Sequence, residues 1–489
     1  MNGVVGRKKA QEILFFAAAL LFLAWFGGAA DLQRYAVTAA QTVFTTAGFL
    51  LAAALAPCLI RLADRKGRIG NALSRSETLR LLLLFALAVL PRAAWWLNYP
   101  PRIDSDYQLY VRMGAVYAET GQPEMSSYLL TVAPNAVVYS VFTGLLMRVF
   151  GTSAMTLVWA AAVLNVCNIM LLYGAGRKIT SGARAFAAAA AFALLPENVF
   201  YSNTPGIEAP AMFAMLAGLL LVLSGKGRNN RARFLLSVGG GAALAFSASI
   251  RPNAWAALIA AAVWLLRDGG AFRRAKEILP RLIPLLVGAA LVFSGLQALN
   301  AELFTEQRPV SGLGWSLYEG LDLESGGKWT PEKSARCVEV IDAHDPEEAD
   351  RIFLNEALER YRGYSFPDKI RLFLRKGGSL WYETRYSVFA AEGTPLCENL
   401  DHAARTCWAG CIAVCIFGLL YRFRHRGGPG VSIAAGLPLT VLLLTSAWHE
   451  IGTSIGRYHY MLIPFLLLLT MIILPGREEL NRLKGGPRV

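Results

Sequence analysis

The chain has 489 residues, 55% hydrophobic and 17% charged, with a formal net charge of +14 and a mean hydropathy of +0.41. Soluble domains are nearer 45–50% apolar and about 25% charged, and a large soluble helical protein would need polar helix faces that the long apolar runs here lack. A nucleic-acid patch is excluded by where the charge lies: Leu299–Arg405 holds 19 Asp/Glu and 13 Lys/Arg, a net of −6, and the remaining +20 falls mostly in short loops between apolar runs, the pattern of membrane orientation and anionic-lipid contact.

A run of roughly 18 apolar residues crosses the hydrocarbon core as a helix. In chain order the runs are Ile13–Gly28, Ala36–Ile60, Leu79–Leu97, Ser153–Tyr173, Ala185–Phe200, Ala209–Leu223, Phe234–Ile250, Ala254–Leu266, Leu282–Leu299, Ala403–Tyr421, Val431–Ala447 and Tyr458–Leu474. The first follows Arg7, Lys8 and Lys9 without a convincing small-residue cleavage site, so it reads as a retained anchor. Ala136–Phe150 is apolar too, and the positive-inside rule decides it. If it does not span, the basic loops Arg61–Arg80, Gly174–Arg184, Gly225–Arg233, Arg267–Arg281 and Tyr421–Arg426 all fall on the cytoplasmic side with the N-terminus. It is therefore a juxtamembrane helix, and the expectation is twelve spans with both ends inside.

This divides the chain into N-terminal spans (1–97), a first extracytoplasmic loop (98–152), central spans (153–298), a large extracytoplasmic segment (299–405) and C-terminal spans with a tail (406–489). Within the large segment, Gly312–Gly327 reads as a glycine-rich loop approaching a ligand or helix ends, and Glu347–Tyr361 as a helix. Asp368–Trp381 alternates basic and apolar residues, suiting a helix that lies on the membrane surface. Cys407, Cys411 and Cys415 share a helix face without a histidine or acid beside them, so they are packing residues rather than metal ligands. Cys337 and Cys397 both fall outside the membrane, and the sequence leaves a disulfide between them open.

The residues able to carry chemistry collect on the outer side. Asp104 and Asp106 stand two apart after the third span, followed by Tyr107, Tyr110, Met113, Ala115 and Val116 at helical spacing. Such a pair serves as a general base toward an acceptor hydroxyl, as support for a divalent cation over a phosphate, or simply as caps of a solvated helix. Glu197 and Glu208 flank the turn Tyr201–Ile207; Arg251 stands between two spans; His449, Glu450 and Arg457 occupy the last outer turn. Arg251 and Arg457 run against the positive-inside bias, and a guanidinium fork suits a phosphate.

In order along the chain, Ser105–Asp106–Tyr107 with Tyr110 and Ala115, Val149–Phe150–Gly151, Asn165, Tyr173 with Arg177–Lys178, Leu195–Pro196, Tyr201–Ser202, Glu208, Arg251–Pro252, Gly320–Leu321–Asp322 with Ser325, Gly326 and Trp329, and Arg457–Tyr458 resemble the GT-C superfamily of polyprenyl-phosphate-sugar-dependent glycosyltransferases. The likeness is to bacterial members similar to protein mannosyltransferases and the aminoarabinose transferase of lipid A, and it runs from about Leu81 to Leu474. It implies an all-α polytopic bundle of about twelve transmembrane helices, with juxtamembrane helices in the first outer loop and a larger extracytoplasmic segment. It also implies a hexosyl- or pentosyltransferase in a bacterial cell membrane, working on the outer face. The donor would be a sugar on polyprenyl phosphate, undecaprenyl phosphate in a bacterium; the acceptor a cell-envelope glycan, lipid or protein. By family pattern Asp106 is the catalytic base and Asp104 a second acid. Arg251 and Arg457 take the lipid phosphate. Glu208 orients the acceptor or shares a divalent cation (Mg or Mn) with Asp106. Tyr458, Tyr107, His449 and Glu450 join as substrate-binding residues. The His-Pro-Pro context of eukaryotic protein mannosyltransferases is missing from the first loop, which speaks against a protein acceptor. A transporter or flippase of a lipid-linked saccharide is the alternative, and the charge-poor span interiors count against it.

Overall fold

The computed structural model describes residues 76–124, 126–268, 275–303, 309–424 and 429–475. The expected spans Ile13–Gly28 and Ala36–Ile60, and Cys58, lie outside them. The described residues form helices and no strand. By length and composition six helices can cross a membrane: Glu77–Asn98, Ala154–Ile179, Asn230–Ile250, Leu279–Leu303, Cys397–Arg422 and Gly456–Ile473. A seventh arises if Gly182–Leu194 and Pro196–Asn203, bent by 59°, count as one span. Of the other expected spans, Glu208–Ser224 and Pro252–Arg267 are shorter apolar helices, and Pro429–Ile451 is a helix of 23 residues with Pro438 inside it. The stretch set apart by its charge context is the 17-residue helix Pro134–Phe150, again among the shorter apolar ones.

Small residues let the central helices approach backbone to backbone, as membrane bundles require when lipid offers no hydrophobic drive. A Cβ on Gly241 would meet the Leu285 carbonyl oxygen at 2.0 Å, and one on Gly288 the Val238 carbonyl oxygen at 1.9 Å. Asn230–Ile250 and Ala275–Leu303 are held together in this way. Helix starts are set by side-chain caps: Ser153, Ser181 and Asn229 accept from the backbone N–H of Met155, Arg184 and Ala232.

The bend at Leu195–Pro196 has a visible cause. Proline ends the Gly182–Leu194 helix and frees the carbonyls of its last turn. The Asn198 amide donates to Phe192 O at 2.7 Å, and buried Arg92 donates to Ala193 O at 3.1 Å and to Asn198 O at 3.4 Å. The chain thus turns away from the line of Gly182–Leu194, with Glu197 and Tyr201 in the segment beyond the bend.

The large segment has its own small core around Trp315, Tyr318, Cys337, Val340 and Phe353. The expected helix Glu347–Tyr361 is Pro346–Gly363, and Asp368–Trp381 lies within the helix Phe366–Tyr382. That helix leaves Phe366 and Ile370 exposed on its outside. Gly312–Gly327 is a correction: Leu313–Gly320 is a helix. Glycines at both ends hide it from propensity, and its own glycines serve close approach instead. A Cβ on Gly320 would meet Gly452 C at 2.3 Å. Cys337 and Cys397 are both buried free thiols on separate helices, so the question left open for them is answered.

One lysine joins this segment to the bundle. Lys376, fully buried, donates through Nζ to Gly320 O at 2.8 Å, Glu450 O at 2.8 Å and Gly452 O at 2.7 Å. An ammonium has three protons, and each finds a carbonyl, two of them at the C-terminal end of Pro429–Ile451, where cations are favoured.

Candidate active site

Four chain breaks converge at one end of the bundle. Glu208 opens the helix Glu208–Ser224. Arg251 is the last residue after Asn230–Ile250, before Pro252. Arg457 and Tyr458 lie in the 3-10 turn Gly456–Leu462. Asp106 is in the first turn of Ser105–Thr120, next to Ser105, which holds φ +52°, a sparsely populated conformation for a non-glycine residue. Each residue sits where a helix begins or ends, so its side chain projects from the bundle end rather than along its wall.

Glu208 is the hub. Its Oε1 pairs with Arg251 Nη2 and lies 3.3 Å from Arg457 Nε. Its Oε2 accepts from the Tyr201 hydroxyl at 2.6 Å, and Tyr107 OH is 3.4 Å from Tyr201 OH. Glu208 is 1% exposed; a carboxylate so buried persists only with cationic and hydrogen-bonding partners. Gly206 makes room for it, since a Cβ there would meet Tyr201 Oη at 2.4 Å and Glu208 Oε2 at 2.5 Å. Arg457 Nη2 reaches outward to Asp106 Oδ2 at 3.0 Å, and the Asp106 side chain is 51% exposed. Arg251 lies over the Tyr458 ring, 4.8 Å to its centroid. Behind that ring stacks His449, which bonds through Nε2 with Asn253 and through Nδ1 with Thr453 O. Arg251 Nε is buried without a hydrogen-bond acceptor, and Arg457 Nε has only the Glu208 carboxylate at 3.3 Å; an orphaned buried donor calls for an explanation.

Asp106, Tyr107, Glu208, Arg251, His449, Arg457 and Tyr458 are therefore neighbours. Asp104 is not among them: extended at the N-cap of its helix, it pairs with Arg102 at 2.6 Å, which also reaches Glu392 at 2.9 Å. Glu450 contributes its backbone carbonyl to Lys376. Between Asp106 and Glu208, the two acids expected to share a cation, the Arg457 guanidinium contacts both. No three His, Cys, Asp or Glu residues gather as ligands among the described residues.

Two groups escaped the sequence reading, Lys376 and Glu319 from the large segment, and nothing local marks either of them. Glu197, read only as flanking the turn Tyr201–Ile207, is fully buried, 2.5 Å from His459 Nε2 and bonded to the Tyr386 hydroxyl.

Residues 134–296, about a third of the chain, match the family model of the dolichyl-phosphate-mannose-protein mannosyltransferases. Among solved structures, the chain is similar to ArnT from Cupriavidus metallidurans bound to undecaprenyl phosphate. The identity is 17%, with 77% of each chain covered and a TM-score of 0.34. It is also similar to the archaeal oligosaccharyltransferase AglB from Archaeoglobus fulgidus in complex with an inhibitory peptide and a dolichol-phosphate. There the identity is 14%, with 78% of this chain and 56% of that one covered and a TM-score of 0.35. No curated protein matches the chain.

Proposed function

We propose that this protein transfers a glycosyl unit from a polyprenyl phosphate to a hydroxyl acceptor, with inversion, at the extracytoplasmic face of a bacterial cell membrane. The observation that carries the reading is the arginine pair. Arg251 and Arg457 share one buried carboxylate, and the Arg251 Nε–H is buried without an acceptor. Such a pair suits the oxygens of a phosphate.

The lipid phosphate lies against the two guanidiniums, and its sugar points outward toward Asp106. Arg457 bonds to Asp106 at 3.0 Å. An arriving phosphate competes for that guanidinium and releases the carboxylate to act as base. Asp106 then removes the proton of the acceptor hydroxyl while that oxygen attacks the anomeric carbon. The bond from that carbon to the phosphate oxygen breaks, and its electron pair leaves with the polyprenyl phosphate. Arg251 and Arg457 stabilise the charge that develops there. No metal step is needed, since the guanidiniums supply the cationic field. The acceptor is a cell-envelope glycan or lipid; a protein is the less favoured class.

The test is release of free polyprenyl phosphate from a radiolabelled polyprenyl-phosphate sugar. Asp106→Asn should lower turnover by about 10²–10⁴-fold while donor binding stays near wild type. Turnover near wild type at unchanged expression would remove Asp106 from the base role. Sidedness is checked by labelling a cysteine placed at Arg228, which should react only from the cytoplasm.

A further inference from the structure

Beyond the arginine pair, one acid in the large segment has no partner suited to its burial. Glu319 closes the helix Leu313–Gly320 and is 6% exposed. Its Oε2 accepts from the Thr453 hydroxyl at 2.8 Å. Its other carboxylate oxygen takes no hydrogen bond or ion pair from a described residue and is not sealed within the protein. The cations nearby are committed elsewhere. Lys333 donates to the Glu319 backbone carbonyl at 3.2 Å and pairs with Asp322 at 2.9 Å, while Lys376 spends its three protons on carbonyls. A hydrogen bond to Thr453 alone does not explain a carboxyl here. Glutamine would make the same bond without the cost of burying an ionisable group.

The position of Glu319 relates it to the arginine pair. Thr453, which holds its carboxyl, presents its carbonyl to His449 at 3.0 Å; His449 stacks on Tyr458 at 4.7 Å, and Tyr458 underlies Arg251. From the other side, the charges of Asp106 and Glu319 both reach the phenols of Tyr458 and Tyr128. Burial pushes the Glu319 carboxyl up to about 7, and the charge of Asp106 acts in the same direction. Both acids therefore lie near Tyr458, which packs against Arg251. In the proposed reaction the group beside Tyr458 and bonded directly to the phosphate is the donor sugar.

Resting on that reading, we infer that Glu319 is a sugar-recognising residue, whose free carboxyl oxygen accepts a hydrogen bond from a hydroxyl or ammonium of the donor glycosyl unit. Its free oxygen rewards a polar hydrogen on the ring and leaves a bare methylene position unanswered, which gives the site a means to discriminate among sugars carried on the same lipid.

The experiment compares wild type, Glu319→Gln and Glu319→Asp in one detergent. It measures KM and kcat for the polyprenyl-phosphate sugar, and the inhibition constant of sugar-free polyprenyl phosphate. Glu319→Gln should lower kcat/KM for the donor about tenfold or more, and Glu319→Asp by less. The inhibition constant for the sugar-free lipid should stay within about twofold of wild type. A parallel loss for both lipids would overturn the inference, because it would mean that the Thr453 turn and Arg457 had moved. Unchanged kinetics in both variants would overturn it as well. Wild-type protein that binds sugar-free lipid but transfers no sugar would refute the glycosyl-transfer reading itself, and the inference with it.

Discussion

Replacing Glu208 by glutamine tests the centre of the site with almost no change of shape. The amide keeps an oxygen to accept from Tyr201, 2.6 Å away in the wild type, so the substitution removes charge and little else. What it leaves is two guanidiniums, their side chains 11% and 15% exposed, facing each other without the carboxylate that now touches both. Removing one partner from a buried ion pair costs about 3–5 kcal/mol, and like-charge repulsion between Arg251 and Arg457 adds to it. Glu208→Gln should therefore unfold at distinctly lower temperature than wild type in the same detergent. A second readout separates this account from a mere packing defect. A phosphate monoester restores the missing negative charge, so polyprenyl phosphate should stabilise the variant more than it stabilises wild type, following the mass-action dependence on ligand over Kd. A variant as stable as wild type, or one whose thermal shift with the lipid is no larger than wild type's, would refute the view that Glu208 holds the arginines by charge.

Gly206→Ala should break the Tyr201–Glu208 contact, because the added methyl has no space; overpacking of this kind costs about 1–3 kcal/mol, visible in the melting temperature together with reduced transfer. Asp104→Asn should leave transfer near wild type and change stability by less than about 1 kcal/mol, since Asp104 makes only an exposed pair with Arg102; a loss like that of Asp106→Asn would restore it as a second acid. Lys376→Met should weaken donor binding by loosening the turn that carries Arg457, and its thermal unfolding should show the cost of three carbonyls losing one donor. Glu319 predicts a pH dependence: burial pushes its carboxyl up to about 7, above the usual carboxylate range. Its contribution to stability is thus full below the unfolded value and is lost as pH rises through 7. Wild type should lose stability relative to Glu319→Gln between pH 5 and pH 8, and parallel curves would contradict this.

The candidate site was readable from sequence where topology did the work. Arg251 and Arg457 stand out because, in the expected topology, an outer-side arginine opposes the orientation bias, and Glu208 because an acid begins an apolar run. Spacing misled where backbone direction matters. Asp104 and Asp106 look like a pair, yet the first is an extended cap and the second is in the first helical turn, so they face different partners. Glu319 and Lys376 were hidden for another reason. They act on Thr453, Glu450 and Gly452, more than 70 residues further on, and nothing in their own neighbourhoods records that. Glycine likewise hid the helix Leu313–Gly320, whose close contact with Gly452 is a tertiary fact. The two shorter apolar helices, Glu208–Ser224 and Pro252–Arg267, are cut short by the chain breaks that present Glu208 and Arg251, so span length and site position have one cause.

The Lys376 clamp also sets an order of assembly. Its three acceptors lie on either side of it in the chain, Gly320 before and Glu450 and Gly452 after. While the chain is being made, the lysine has reached its side of the membrane before the helix whose end it caps exists. Until Pro429–Ile451 has been inserted with its end at that surface, the ammonium has only Gly320 to hold and stays hydrated. Docking of the large segment against the end of Pro429–Ile451 is then a late event, completed only when both sides of the clamp are present.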